Sequence, residues 1–273
     1  DDGGTEQGMT VPETTDGRSG LGADMRLRML RDQMTEPRAT EHGVKGRFLH
    51  DCLLDMIERG FFRPGEKLPG ERELADFLQL SLGTVQMAMR GLATSGLVER
   101  RRGAGSFVAT AADVGSTVWH FRFRSPDGQK LLPHFIKVLS IEETDEQGPW
   151  SGFLGTTSVI RIRRVVDINR QFSTCSYIYL DAVRFRPLLD LSPEFLSQKN
   201  LRVFLHERYN APTLRAVHRF THVAAVPDVA QIIGTESGQP VLQVSALGYG
   251  YRDAPTIYQQ IFVPPADYEL EIV

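Results

Sequence analysis

Cysteine is scarce in this chain: Cys52 and Cys175 are the only two among 273 residues. Two thiols cannot form a four-thiolate metal site and suggest no disulfide framework, so a cytoplasmic setting is expected. Long hydrophobic runs are missing too. No window holds 18 consecutive apolar residues, which excludes a spanning helix and a membrane partner. The N-terminal stretch lacks the apolar segment of a secretory signal, and Asp1–Gly8, ahead of Met9, reads as a tag remnant. No sign of charge dominates, with 31 Lys and Arg against 34 Asp and Glu. What is present is ordinary: 41% hydrophobic and 24% charged residues, which excludes global disorder and a fibrous fold. The length exceeds the usual single domain, so two are expected.

The distribution of charge says more than its sum. Residues 44–109 hold ten Lys and Arg against eight acids, residues 1–43 five against nine, and the remainder 16 against 17. The middle segment alone is positive, a weak sign of nucleic-acid binding until its charges are placed.

Residues 1–43 read as a tail, unstructured by itself, in which 24–34 has the pattern of a short amphipathic helix. From Val44 the periodicity sharpens. Phe48, Cys52 and Met56 lie four apart beside Leu49, Leu53 and Ile57, a wide apolar stripe at helical period, and Gly60 ends it. A second helix follows Gly70, with Glu71 and Glu73 suited to its first turn and Leu74, Ala75 and Leu78 facing inward. After the short Gln79-Leu80 turn, Ser81 caps a third helix whose buried stripe is Val85, Ala88, Met89 and Leu92. Strands Leu97–Arg101 and Ser106–Ala109 then flank a tip at Arg102-Gly103-Ala104-Gly105. Three helices, the last two joined by a very short turn, followed by a hairpin, make a winged helix-turn-helix over 44–109.

Residues 110–117 are small and polar, a linker. Beyond it the chain turns to strands at 118–124, 132–141, 158–166, 172–180, 214–226, 241–251 and 256–263, with helices at 201–208 and 229–233. Residues 118–273 thus form a mainly antiparallel sheet domain with flanking helices, and the whole chain is α+β.

Residues 58–109 resemble the GntR family of bacterial transcription regulators. The resemblance is carried by Arg59-Gly60, by the run Arg63-Pro64-Gly65-Glu66-Lys67-Leu68-Pro69-Gly70-Glu71-Arg72-Glu73-Leu74-Ala75, by Ser81-Leu82-Gly83-Thr84-Val85, and by Gly103-Ala104-Gly105-Ser106-Phe107-Val108. Residues 118–273 resemble the effector-binding (UTRA, chorismate-lyase-like) domain of the HutC branch, through Val159-Ile160-Arg161-Ile162-Arg163-Arg164, His206-Glu207-Arg208-Tyr209, Gly238-Gln239-Pro240-Val241-Leu242 and Ala266-Asp267-Tyr268-Glu269-Leu270. The resemblance implies a homodimeric, ligand-responsive regulator that binds double-stranded operator DNA, a repressor more often than an activator. It implies no catalytic residue, metal or cofactor.

On that reading the DNA face comprises Arg72 on the second helix, Ser81, Leu82, Gly83, Thr84 and Gln86 on the third, and Arg101, Arg102, Gly103, Gly105 and Ser106 on the wing. A helix N-terminus attracts phosphate and the glycines let backbone approach the duplex. The chain departs from the family where Leu82 and Gln86 stand in place of the usual arginines. Each lost cation removes a contact of the kind worth about 1–3 kcal/mol when bidentate to a base, and Gln86 would favour adenine.

Arg161 and Arg163 are two apart on a strand, about 6.6 Å by the strand rise, and share a face. They form a cradle for an anionic effector, unless they face water or an acid such as Asp167 or Asp181 neutralises them. Arg124, Tyr179, Tyr249 and Tyr258 complete the expected effector site. The histidines lack metal-ligand spacing. Two rival readings are an enzyme of chorismate-lyase-like fold, which no catalytic constellation supports, and a dimerisation module with a decayed DNA-binding head, motivated by Leu82 and Gln86.

Overall fold

A computed structural model describes residues 22–34, 45–110 and 121–272. The expected linker lies almost wholly outside them, as do residues 1–21, 35–44 and 118–120.

Helix α1 (Ala23–Met34) falls on the stretch 24–34, where the sequence predicts a short amphipathic helix. It packs on α2 (Lys45–Glu58) and α3 (Glu71–Leu78), burying Leu27 and Leu30 in the same core as Leu49, Leu53, Leu74 and Met89. Arg26 pairs with Glu66 beside that contact. Each buried leucine contributes about 1.5–3 kcal/mol, which a charged twelve-residue helix needs because it is unstable in isolation.

The reading head follows the expected order. Gly60 adopts φ 76° just after α2. The N–H of Gly70 donates to the Glu73 carboxylate at 3.1 Å at the start of α3, and Gln79 takes the left-handed conformation that ends it. Helix α4 (Leu82–Thr94) starts at the Ser81 cap. Strands β1 (Val98–Arg101) and β2 (Gly105–Val108) form the wing, with Arg101 opposite Gly105. Residues Gly65–Leu68 add a third, short rung through Gly65 N–H to Val108 O and Leu68 N–H to Ser106 O, both 2.8 Å.

The second domain is built on a six-stranded antiparallel sheet in the order β4-β5-β6-β9-β8-β7. Its strands are β4 (His134–Thr144), β5 (Val159–Ile168), β6 (Phe172–Asp181), β7 (Arg215–Ala224), β8 (Pro240–Tyr249) and β9 (Pro255–Val263). Strand β3 (Phe121–Arg124) pairs with β10 (Glu269–Ile272) in a separate two-stranded sheet. The large sheet is covered on both faces. One face, with Ile160, Ile162 and Ile178, packs on α6 (Ala182–Phe185), α7 (Pro193–Ser197) and α8 (Leu201–Tyr209). The other, with Cys175 and Tyr179, packs on α9 (Pro227–Ile233) and α5 (Pro149–Leu154). Helices α5, α6 and α7 span four to six residues, too few to show a helical period in the sequence. Asn200 caps α8, accepting from Arg202 N–H at 3.2 Å.

Candidate nucleic-acid interface and effector face

The first turn of α4 stands clear of the core. Ser81 Oγ accepts the Thr84 N–H at 3.1 Å and shares a 2.7 Å hydrogen bond with the Thr84 hydroxyl. Ser81, Leu82 and Gly83 are exposed, Thr84 and Gln86 half-buried. A Cβ at Gly83 would meet nothing closer than 4.0 Å, so this glycine fills no packing need and leaves the turn open. Leu82 is 38% exposed, a large apolar side chain where the family carries a cation. The buried stripe is Val85, Ala88, Met89 and Leu92, as the periodicity required.

The three wing arginines differ. Arg100 is held by Glu71, on the first turn of α3. Arg101 donates to Glu99 at 2.7 Å and lies over the Phe107 ring at 4.6 Å. Arg102 is exposed at the turn itself, followed by Gly103 at φ 75°. Gly105 has φ 113°, a backbone conformation that selects glycine, while a Cβ there would displace only the far end of the flexible Lys67 side chain. Ser106 is half-buried with its carbonyl engaged by Leu68. Arg72 is exposed on α3.

On the large sheet, Arg161 and Arg163 share a face, and the acids that meet them are neither Asp167 nor Asp181. Arg161 Nε donates to Glu142 at 3.0 Å and its Nη1 to Glu146. Arg163 Nη1 donates to both oxygens of Asp228 at 2.8 and 2.9 Å, and the Tyr177 hydroxyl donates to Asp228 at 2.6 Å. Those bonds hold the Asp228 carboxyl below its usual pKa, the tyrosine first and the guanidinium second. Tyr179 and Tyr258 are packed, with Tyr179 stacked on Trp150 at 3.9 Å between centroids. Burial drives the Tyr179 hydroxyl pKa upward. Phe153 meets Tyr249 and Tyr258 edge-on or tilted. Arg124 is engaged elsewhere: on β3 it donates to Glu271 at 3.0 Å and to the Gly128 carbonyl at 3.3 Å.

A joint between the domains escaped the sequence reading. Asn210, in the left-handed conformation that closes α8, donates its amide to the carbonyls of Ile57 and Glu58 at 2.8 and 2.7 Å. These carbonyls lie in the last turn of α2, where helical i+4 partners run out, and Ile57 O also accepts the Gly60 N–H at 3.0 Å. Tyr251 donates its hydroxyl to Asn210 Oδ1 at 2.9 Å and joins the reading-head core, and Arg252 donates to Glu58 at 3.0 Å. An Asn just after a helix is a common C-terminal cap; its reach across 152 residues leaves no local trace in the sequence. Among the described residues no trio of His, Cys, Asp or Glu is arranged to hold a metal, and no helix is long and apolar enough to cross a membrane.

Comparison with known proteins agrees with this architecture. Residues 46–108 match the bacterial regulatory proteins of the gntR family, and residues 134–269 match the UTRA domain. The chain is 27% identical over 221 residues to the HTH-type transcriptional repressor NagR of Bacillus subtilis, covering 76% of this chain and 87% of NagR. It is 29% identical over 204 residues to the HTH-type transcriptional regulator Rv0792c of Mycobacterium tuberculosis, covering 74% and 75% of the two chains. Among solved structures, the ligand-binding domain of a GntR-family regulator from Bordetella bronchiseptica aligns with a TM-score of 0.49 at 22% identity, over 56% of this chain and 95% of that domain. PhnF from Mycobacterium smegmatis aligns with a TM-score of 0.44 at 19% identity, over 79% and 94%. The family and these relatives are regulators of transcription, not enzymes. A winged helix-turn-helix joined to a UTRA domain in one chain makes this protein a member of the GntR family of bacterial transcription regulators.

Proposed function

We propose that the protein is a cytoplasmic repressor that binds operator DNA as a homodimer and is released by a small anionic metabolite. The observation that carries the reading is the open first turn of α4, capped by Ser81 and unfilled at Gly83. In this reading Ser81, Thr84 and Gln86 enter the major groove. Arg72 and Arg102 meet phosphates beside them, while Gly103 and Gly105 bring the wing backbone close. A two-fold dimer then reads a pseudo-palindrome.

The effector is placed on the face of Arg161 and Arg163, over Tyr179, Tyr249 and Tyr258. Glu142, Glu146 and Asp228 now hold these guanidiniums, and they are the more exposed partners. The side chains of Glu146 and Asp228 are 57% and 49% exposed, against 24% and 34% for Arg161 and Arg163. An incoming carboxylate or phosphate competes with carboxylates that lie at the rim, and displacing Asp228 loosens the first turn of α9.

Selection from random duplex DNA by the full chain tests the operator half of the reading. The expected result is a two-fold symmetric consensus; recovery of unenriched sequence overturns it. Calorimetric titration with the effector found by a metabolite screen tests the other half. Arg161→Ala and Arg163→Ala are expected to lose ligand-induced release while keeping operator affinity, and wild-type ligand affinity in both variants moves the site elsewhere.

A further inference from the structure

Strand alternation puts Arg164 on the opposite face from Arg161 and Arg163, in line with Ile160 and Ile162. That face packs against α6–α8, so an arginine there points into the domain. It opens on a cavity of about 740 Å³ between the sheet and the segment where α7 passes into α8, a volume in the ordinary range for a small-molecule site. Four cations line the cavity: Arg122, Arg164, Lys199 and Arg202. Among the described residues lining it there is no Asp or Glu. The apolar part of the lining includes Phe123, Ile168, Ile178, Ile257 and Ile261, all buried, and Thr174, Ser197, Gln198 and Asn200 add neutral polar groups.

The polar groups at the cavity floor form a row across three strands. Arg164 Nη2 donates to Ser176 Oγ at 3.2 Å, and Gln259 Nε2 donates to the same oxygen at 2.8 Å. Ser176 accepts twice, so its own hydroxyl proton is left to a third partner. Arg164 Nε is buried with no hydrogen-bond partner. Burial lowers the Arg164 pKa to about 10 and that of Arg202 to about 9, the latter lowered further by the Arg164 charge. Both guanidiniums therefore remain charged at neutral pH. A buried guanidinium nitrogen with no hydrogen-bond partner, such as Arg164 Nε, is costly. It is reasonable as part of a recognition device, because an entering anion gains charge-assisted hydrogen bonds there.

We propose that this cavity is a second ligand site that binds an amphipathic anion, a carboxylate or phosphate monoester on an alkyl or aryl body. The head group lies between Arg164 and Arg202 and accepts from the Ser176 hydroxyl. The apolar body lies along Ile168, Ile178 and Ile261. The site is on the face away from Arg161 and Arg163 and stands independently of the operator-binding reading. A ligand here presses on α8, whose C-terminal cap Asn210 holds the last carbonyls of α2.

The test needs no DNA, so its failure leaves the operator reading intact. The full chain is titrated calorimetrically with decanoate, octyl phosphate, inorganic phosphate and 1-decanol. The expected result is saturable binding of the two alkyl anions at one per chain, at least about tenfold tighter than inorganic phosphate or decanol, the ratio of one lost charged hydrogen bond or more. Arg164→Gln and Arg202→Gln are each expected to weaken alkyl-anion binding by about tenfold or more, whereas Arg186→Gln, an exposed arginine outside the cavity lining, leaves it unchanged. Val166→Trp, which fills the cavity and keeps every cation, is expected to abolish it; this variant serves if removal of a buried arginine impairs folding. Absence of saturable binding by both alkyl anions overturns the proposal. So does equal binding of decanol or inorganic phosphate, or wild-type affinity in the Arg164, Arg202 and Val166 variants.

Discussion

A run of three arginines at the wing suggests a uniform cationic tip, yet the side chains are used differently. Arg100 ties the wing to the first turn of α3 through Glu71. Arg101 is braced by Glu99 and the Phe107 ring. Arg102 is exposed at the turn. An arginine already paired must give up that pair to meet a phosphate, so its net gain is smaller. Arg72→Ala and Arg102→Ala are therefore each expected to weaken DNA binding across all sequences and to flatten the plot of log affinity against log salt by about one unit. Anisotropy titrations between low and moderate salt check this; an unchanged slope in both folded variants removes these residues from the phosphate contacts.

At the scale of elements, α1 decides how large the reading head is. Its leucines close the core that α2, α3 and α4 leave open on one side. Leu30 is 1% exposed, and a Leu→Ala change at such a site costs about 2–5 kcal/mol through lost transfer energy and the cavity left behind. Leu30→Ala is expected to lower the unfolding free energy obtained from urea titration by that amount, while Met25→Ala, at an exposed position of the same helix, stays near wild type. Equal stability for both variants would show that α1 is not docked in solution.

The whole molecule depends on the seam between its domains. His206, on α8, is buried, with Nε2 3.4 Å from the carbonyl of Ala109 at the end of the wing. Burial depresses its pKa, with the Ala109 contact and Glu207 opposing. A histidine with a depressed folded-state pKa takes up its proton more readily in the unfolded chain. Its contribution is therefore complete above the unfolded value of about 6.5 and is lost as pH falls below it. His218, also depressed by burial, acts in the same direction. The urea midpoint is expected to be lower at pH 5.5 than at pH 7.5, and His206→Gln should shrink the difference; an undiminished difference would assign the effect to other groups. Asn210→Ala removes the side-chain amide that bridges the Ile57 and Glu58 carbonyls. It is expected to split thermal unfolding into two calorimetric transitions, the reading head melting first, because one of the links that couple the two cores is gone. A single transition at the wild-type temperature would contradict that role.

Much was determined by local sequence. The stripe of α2, the Ser81 cap, the glycines at the wing and the alternation along β5 are decided within a few residues. Periodicity and φ requirements act over that range and leave the same trace in any context. The shared face of Arg161 and Arg163 follows from alternation alone, and so does the inward placing of Arg164. What neither alternation nor composition carries is the partner across space. Glu142, Glu146 and Asp228 reach the two arginines from β4, the segment that follows it and α9. Arg202 comes to Arg164 because α8 crosses the opposite face of the sheet. A helix of mixed charge such as α1 becomes structural only when a neighbouring core offers its leucines a place. Those outcomes depend on burial and on charge at short range, and both are set by residues tens to hundreds of positions apart in the chain.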